Sequence, residues 1–299
     1  ADVKHRLKID YDRLKEINPA LIYASISGFG QDGPYGKRAG VDQIVQGMSG
    51  LMSVTGTKDT APNRVGIAIS DTTAGMFLGQ GILLALLHRE RTGEGQWVHT
   101  SLLEAMINKL DFQGARYAMR GEVAGPEGND HPTQAPMGTY PANNGQINLA
   151  APTQRMWERL CKALDAGELF ADARFLTAKQ RATQRSEVKA AISAITQCFS
   201  VDELVERLNE EGVACGPINT IGQAFDDPQV QHLGMVMQAT HAELGEINLV
   251  RSPINMSAHP HPKAFASAAP DPGEHTEAVL QSFGFSSAEI DDLKSAGAI

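Results

Sequence analysis

Cysteine is scarce in this chain: three residues, Cys161, Cys198 and Cys215, widely spaced and with no CxxC pair. That removes a paired-thiol motif and predicts buried free thiols in a reduced, cytoplasmic setting. Positive charge is also short. Lys and Arg number 26 against 35 Asp and Glu, for a net charge of −9. Such a balance argues against a nucleic-acid surface and against an anionic membrane, while leaving room for an anionic ligand on a local basic patch. Long apolar runs are missing. The longest, Ile82 to Leu87, is too short to span a bilayer, and the charged opening residues show no signal-peptide pattern. No internal repeat is visible.

Several chemical signatures are absent as well. No glycine pattern has the spacing of a dinucleotide fingerprint, and no glycine loop ends in the Lys-Ser/Thr of a P-loop. The serines show no nucleophile-elbow spacing. His259 and His261 flank Pro260 without a third ligand, so no metal site is expected.

What is present is a core-forming chain, 42% hydrophobic over 299 residues, enough for one large or two ordinary domains. Periodicity and breakers predict a helix over 10–18, a buried strand over 21–27 and a helix from Asp42 to about Val54. A helix over 72–91 is apolar nearly all round and is therefore expected to be buried, with Gly75 and Gly79 allowing close backbone approach. It ends in His88, Arg89 and Arg91 before Gly93, as a helix C-terminus should. A strand over 95–100 and a helix over 102–119 follow. The Gly- and Pro-rich stretch 121–145 reads as a linker. Beyond it come a strand over 146–150 and helices over 154–164, 179–198 and 202–211. Strands over 213–218, 235–239 and 246–250, a Pro- and Ala-rich crossing and helices over 274–283 and 287–295 complete the chain.

Asp71 stands just before the predicted helix over 72–91. Unpaired N–H groups and the helix dipole favour negative charge there, which suits a helix cap and a carboxylate nucleophile alike. Residues 28–36 carry four glycines, a composition that serves a plain turn or a cradle of N–H groups for a phosphate or thioester. Lys37 and Arg38 follow, either as solvated cations or as phosphate contacts. Asp42 reads as a helix cap or as a second active-site carboxylate. His131, in the linker stretch, reads as a solvated or hydrogen-bonded group rather than a base.

Taken in order, these segments resemble the class III (CaiB/BaiF-type) CoA-transferase family, which includes the formyl-CoA and carnitine CoA-transferases and the α-methylacyl-CoA racemases. The resemblance runs from Asn18-Pro19-Ala20-Leu21-Ile22-Tyr23 through Gly28-Phe29-Gly30-Gln31-Asp32-Gly33-Pro34-Tyr35 to Gly40-Val41-Asp42 and Gln46-Gly47-Met48-Ser49-Gly50. It continues at Asp71, Ala74-Gly75, Arg89, Thr92-Gly93 and Gly95-Gln96, and again at Gly212 to Asn219, Asp227-Pro228 and Gly273 to Thr276.

The resemblance implies an α/β fold, with a Rossmann-like large domain, incomplete at its N-terminus, and a smaller α+β domain. Its members form interlocked dimers. The domains would be 1–120, a linker 121–145, a small domain 146–250, and a return 251–299 packing on the large domain. It implies Asp71 as the nucleophile and Gly28, Phe29, Gly30, Lys37, Arg38 and Asp42 around the coenzyme A moiety. Backbone N–H groups near Gly28–Gly30 or after Asp71 would hold the oxyanion. The implied activity is transfer of CoA from an acyl-CoA to a small carboxylic acid, with no permanently bound cofactor, no metal and a homodimeric assembly.

The sequence also departs from the family. The racemase branch has a histidine base where this chain has Val41, which leaves an isomerase without its second acid/base group. A nucleotide-contacting lysine of some transferases falls at Ala39. The glycine-rich flap of the formyl-CoA transferases is absent between Ala135 and Gln146, and the C-terminal half looks more like the transferases that use short dicarboxylates. Family members carry further βα units before the stretch matching 3–7, so the chain reads as N-terminally shortened. That feature makes a catalytically incomplete remnant the other alternative.

Overall fold

The computed structural model of the chain describes residues 2–299. It divides into two compact units, residues 1–217 and 218–299.

After a short helix over Asp2–Arg6, the first unit continues with helix α1 (Tyr11–Ile17), capped by the Asp10 carboxylate and ending before Pro19. Strand β1 (Tyr23–Ser27) pairs in parallel with β2 (Trp97–Ser101), Tyr23 opposite Trp97 and Ser27 opposite Ser101. Parallel strands need a crossover of a dozen or more residues. Here it contains α2 (Asp42–Met48) and the long α3 (Ile69–Thr92). Helix α4 (Leu102–Lys109) follows β2 directly, its N-cap Ser101 accepting from the Glu104 N–H. The helix expected over 102–119 is broken. Asp111, at a left-handed φ of 50°, opens a separate α5 (Asp111–Arg120).

The stretch expected to be a linker contains a strand, β3 (Met137–Ala142), paired antiparallel with β4 (Gly145–Ala150). Gly138 and Pro141 weaken its signal in the sequence, and Pro is tolerated because β3 is an edge strand. Strand β5 (Ala214–Pro217) pairs antiparallel on the other side of β4. Helices α6 (Gln154–Ala163), α7 (Arg185–Thr196) and α8 (Val201–Glu210) contribute Trp157, Leu160, Val188, Ile192, Leu204 and Leu208 to one core with Ile147 and Leu149 of β4. Strand alternation places Ile147 and Leu149 on the same face, with Asn148 opposite.

A second, smaller core joins Val45 of α2, Ala74 of α3 and Leu102, Ala105 and Met106 of α4, with Phe29, Ile69 and Phe77 packed against it. The expectation that α3 is buried fails within this chain. Only Ser70, Thr73, Ala74 and Ala85 of α3 are buried. Met76, Leu83, Leu84 and Leu87 are 66, 63, 67 and 58% exposed. Their spacing of 7, 8 and 11 residues from Met76 makes one outward stripe. Gly75 and Gly79 have open space around them, while the close approach falls at Gly81, where a Cβ would stand 2.6 Å from Val98 Cγ1. By length and composition alone, the 24-residue α3 is also a helix that can cross a membrane.

In the second unit, β6 (Val236–His241) and β7 (Gly245–Val250) form an antiparallel hairpin. Buried Arg251 donates to the carbonyls of Leu233, Gly234 and Ser252. Helices α9 (Thr276–Ser282) and α10 (Ser287–Ser295) end the chain, α10 opening on a capping box of Ser286 and Glu289.

Candidate active site

Asp71 is the third residue of α3, inside its first turn. The helix starts at Ile69, three residues earlier than its sequence pattern suggests. Its N-cap is Ala68, whose methyl group cannot accept a hydrogen bond, so Asp71 does not cap the helix. The Asp71 side chain is exposed, and among the described residues it makes no hydrogen bond or ion pair. The N-terminal turn of a helix has N–H groups without intrahelical partners. One of these, the N–H of Ser70, is satisfied from outside the helix.

The partner is Asp42, the first residue of α2 and almost fully buried. Its Oδ1 accepts the Ser70 N–H at 3.0 Å and the Ser70 hydroxyl at 2.8 Å. Its Oδ2 accepts Gln46 Nε2 at 2.8 Å and the Arg64 guanidinium at 3.3 Å. Burial by itself would raise the carboxyl's pKa. The bonds from the Ser70 backbone and hydroxyl, Gln46 and Arg64 outweigh it and hold Asp42 below the usual carboxylate range. A carboxylate has about four acceptor positions, and here four donors occupy them. Within this chain Asp42 is therefore turned toward α3 and saturated, rather than presented to a ligand as its grouping with the coenzyme A contacts anticipates. It does not cap its own helix either, because Val41 is the N-cap.

The glycine loop holds its own shape. Gly28 and Gly40 cross so closely that a Cβ on Gly28 would lie 2.6 Å from the Gly40 Cα. Only glycine fits at that crossing. Phe29 meets Tyr35 edge-on at 5.9 Å, and the Arg38 guanidinium sits 3.9 Å over the Tyr35 ring. The Gly30 N–H donates to Ser27 Oγ at 3.0 Å, and the Thr72 N–H donates to the Ala68 carbonyl at 3.1 Å. Both are thereby engaged, which removes them as oxyanion donors in this conformation. Lys37 lines a cavity of about 400 Å³ with Lys4, His5, Gln31, Trp97 and His99. Lys4 donates to Gln31 Oε1 at 2.9 Å and lies 4.1 Å from the Trp97 ring centre. Neither Asp71 nor Asp42 lines that cavity.

The structure thus brings Asp42 and Asp71 to one helix start and packs Phe29 on the same small core. It places Lys37 at a separate cavity wall and Arg38 on Tyr35. Gln46, Ser70 and Arg64 are the members of the site that the sequence reading passed over. Their signal was the i, i+4 spacing of Asp42 and Gln46, which puts both on one helix face, and a Ser directly before Asp71. Elsewhere, His131 Nδ1 accepts the N–H groups of Thr133 and Gln134, the hydrogen-bonded role its loop position suggested. Of the thiols, Cys161 is buried, which pushes its pKa up to about 12 against the opposing pull of Arg181. Cys215 is half-buried, but Cys198 is exposed, against the expectation that all three are buried. A cavity of about 540 Å³ lies against β3, β4 and β5, lined in part by Asn148, Ala214 and Gly216 and away from Asp71.

Residues 1–276 match the family model of CoA-transferase family III, and the chain belongs to that family. It is 38% identical over 272 residues to a succinate–glutarate CoA-transferase of Agrobacterium fabrum, covering 91% of this chain and 68% of the relative. It is 31% identical to a succinyl-CoA:glutarate CoA-transferase of Mus musculus, covering 91% of this chain and 62% of that one. The crystal structure of a CAIB/BAIF family protein from Brucella suis matches with a TM-score of 0.80 and 35% identity, over 94% of this chain and 72% of that one. The chain thus spans about two thirds of the length of these curated relatives.

Proposed function

We propose that this member of CoA-transferase family III moves coenzyme A from an acyl-CoA to a free carboxylic acid, with Asp71 as nucleophile. The observation that carries the reading is the state of Asp71. It is an exposed carboxylate without a partner among the described residues, on a helix turn whose preceding residue is tied down on two atoms.

In the proposed reaction the Asp71 carboxylate attacks the thioester carbonyl, giving a mixed anhydride and CoA thiolate. The thiolate attacks the aspartyl carbonyl, giving an aspartyl-CoA thioester and releasing the donor acid. The acceptor carboxylate then attacks this thioester, and the thiolate returns to the new acyl group, regenerating Asp71. Covalent catalysis of this kind divides one difficult exchange into easier steps and keeps the thioester energy without a metal.

The names of the relatives favour succinyl-CoA as donor and a short dicarboxylate such as glutarate as acceptor. Gly28, Phe29, Gly30, Lys37 and Arg38 belong to the reading as coenzyme A contacts through family membership, since the cavity beside Lys37 carries Asp10, Asp12 and Asp32 as well as Lys4 and His5 on its walls. Val41, an aliphatic side chain, speaks against the isomerase alternative. A homodimer is part of the proposal, supported by the open apolar stripe of α3. So is a cytoplasmic location, supported by cysteine usage.

The test is to incubate the protein with succinyl-CoA and glutarate, quench with hydroxylamine or borohydride, and map the peptides by mass. The expected adduct falls on Asp71 and is absent from Asp71→Ala. Deuterium entering the α-carbon of a 2-methylacyl-CoA in deuterated water, dependent on Asp71, would replace transfer with isomerisation.

A further inference from the structure

The nucleophile proposed above must be presented repeatedly in one place. It attacks a carbonyl, is attacked at its own carbonyl by thiolate and again by the acceptor, and leaves. Reacting atoms need approach distances of about 3–3.5 Å, and a displacement of about 1 Å can cost about 100-fold in rate. Yet among the described residues Asp71 has no side-chain partner of its own, and its helix has an alanine cap. Something else must fix the backbone beneath it.

Helix α2 meets that need with two residues four apart. Asp42 holds Ser70, the residue next to Asp71, by its N–H and by its hydroxyl. Gln46, wholly buried, holds the approach to it: its Oε1 accepts the Val65 N–H at 2.9 Å and its Nε2 donates to the Ile67 carbonyl at 3.2 Å. Nε2 also reaches Asp42, so the two side chains brace each other. Each of these bonds has buried Asp42 or Gln46 at one end, and a buried polar group left unsatisfied costs about 1–3 kcal/mol. Between these residues Val45 packs in the small core with Ala74, one turn beyond Asp71. The segment from Arg64 to Ser70, which leads into the catalytic turn, is thus tied to one face of α2.

We propose that Asp42, braced by Gln46, is a positioning residue for the CoA-transfer reaction, anchoring Ser70 so that the Asp71 carboxylate keeps its attack position without itself being held. The proposal rests on the assignment of Asp71 as nucleophile. An anchor at position 70 leaves the carboxylate free of hydrogen bonds that would blunt its nucleophilicity, while an anchor on Asp71 itself would not.

The decisive variant is Asp42→Asn. It keeps the shape and an oxygen for Ser70, but sets an NH₂ group against the donors of Gln46 and Arg64. Gln46 cannot turn to receive it without releasing the Val65 N–H. The expected result is a fall in kcat of about 10- to 100-fold with KM for succinyl-CoA within about threefold of wild type, the signature of lost positioning. Amide hydrogen exchange at residues 69–72 should quicken at the same time. Ser70→Ala, which keeps the backbone bond and loses the hydroxyl, should fold even where Asp42→Asn does not, and should lower kcat by a smaller factor at unchanged KM.

A kcat within twofold of wild type in both variants overturns the proposal, as does a loss expressed in KM alone. Asp71→Ala run in parallel separates the two failures. Where wild type moves no CoA, or Asp71→Ala still does, the nucleophile assignment fails. The exchange rates then decide the anchoring on their own, and unchanged rates overturn that too.

Discussion

The two cores of the first unit are built on opposite plans. Among the described residues, the core around β3, β4 and β5 gathers seventeen buried residues, with Trp157 and Phe175 fully enclosed and meeting edge-on at 6.5 Å. Even a charged group is absorbed there. The Arg181 guanidinium is buried, bonded to the Phe175 carbonyl at 2.9 Å and to Gln154 Oε1 at 3.0 Å, and stacked over Trp157. The core beneath α3 gathers five buried residues and leaves an apolar stripe of that helix uncovered. The candidate nucleophile stands on the second. One region is closed and carries stability. The other is open, holds its geometry by polar anchors such as Asp42, and has an apolar surface left for another molecule. Large exposed apolar patches mark such contacts.

The sharpest way to break that comparison is to exchange the effects of two substitutions. Asp71→Ala should cut CoA transfer by at least about 1000-fold, some 4 kcal/mol of transition-state stabilisation, and leave the melting curve in place. Trp157→Ala should cost about 3–5 kcal/mol of stability through the cavity it leaves, with the rate per folded molecule unchanged. Thermal melts and initial rates on the same samples decide it. A destabilised Asp71→Ala, or a chemically crippled but stable Trp157→Ala, would dissolve the division of labour.

A smaller effect is expected from the stripe. Burying a leucine is worth about 1.5–3 kcal/mol, so Leu84→Glu should weaken subunit association by at least about 10-fold. Light scattering across a dilution series reads it directly. A wild-type chain that stays monomeric at micromolar concentration would remove the dimer. One that partitions into detergent or vesicles would assign the stripe to lipid instead.

Much of this division was readable beforehand. Strands β1 and β2, the helices α6 and α8 behind β4 and the C-terminal end of α3 at Gly93 follow from periodicity and capping residues, whereas the helix expected over 179–198 divides at Gln184. Asp71 was legible as a candidate because of its neighbours in the chain. The failures share a cause: they depend on what lies across from a residue. An apolar helix reads as buried, but the residues that would cover Leu83 and Leu84 are not supplied by the elements packed on α3. Strand β3 was hidden because an edge position tolerates Pro141. Asp42 read as a cap or a ligand contact because its true partner, Ser70, is 28 residues away and no local rule pairs them.

The smallest effect concerns charge at that anchor. The folded-state pKa of Asp42 is lowered, so the unfolded chain binds a proton more readily than the folded one. The stability that the ionised form contributes is therefore complete above about pH 3.9, the ordinary value for an aspartate, and is lost as pH falls through the lower folded-state value. Asp42→Asn has no such dependence at this position. Its deficit relative to wild type should be about 1.5–3 kcal/mol near neutrality, the range for hydrogen bonds to a charged group, and should shrink as the solution is acidified below about pH 4. Other carboxylates with lowered pKa, Asp172, Glu203 and Glu289, are the same in both proteins and cancel in the difference. The deficit of Trp157→Ala, a matter of packing, should stay level over the same range. Denaturant melts of the three proteins between pH 7 and pH 3 make the measurement. If the Asp42→Asn deficit also stays level, the anchor works by shape rather than by charge, and the two cores differ less than their burial suggests.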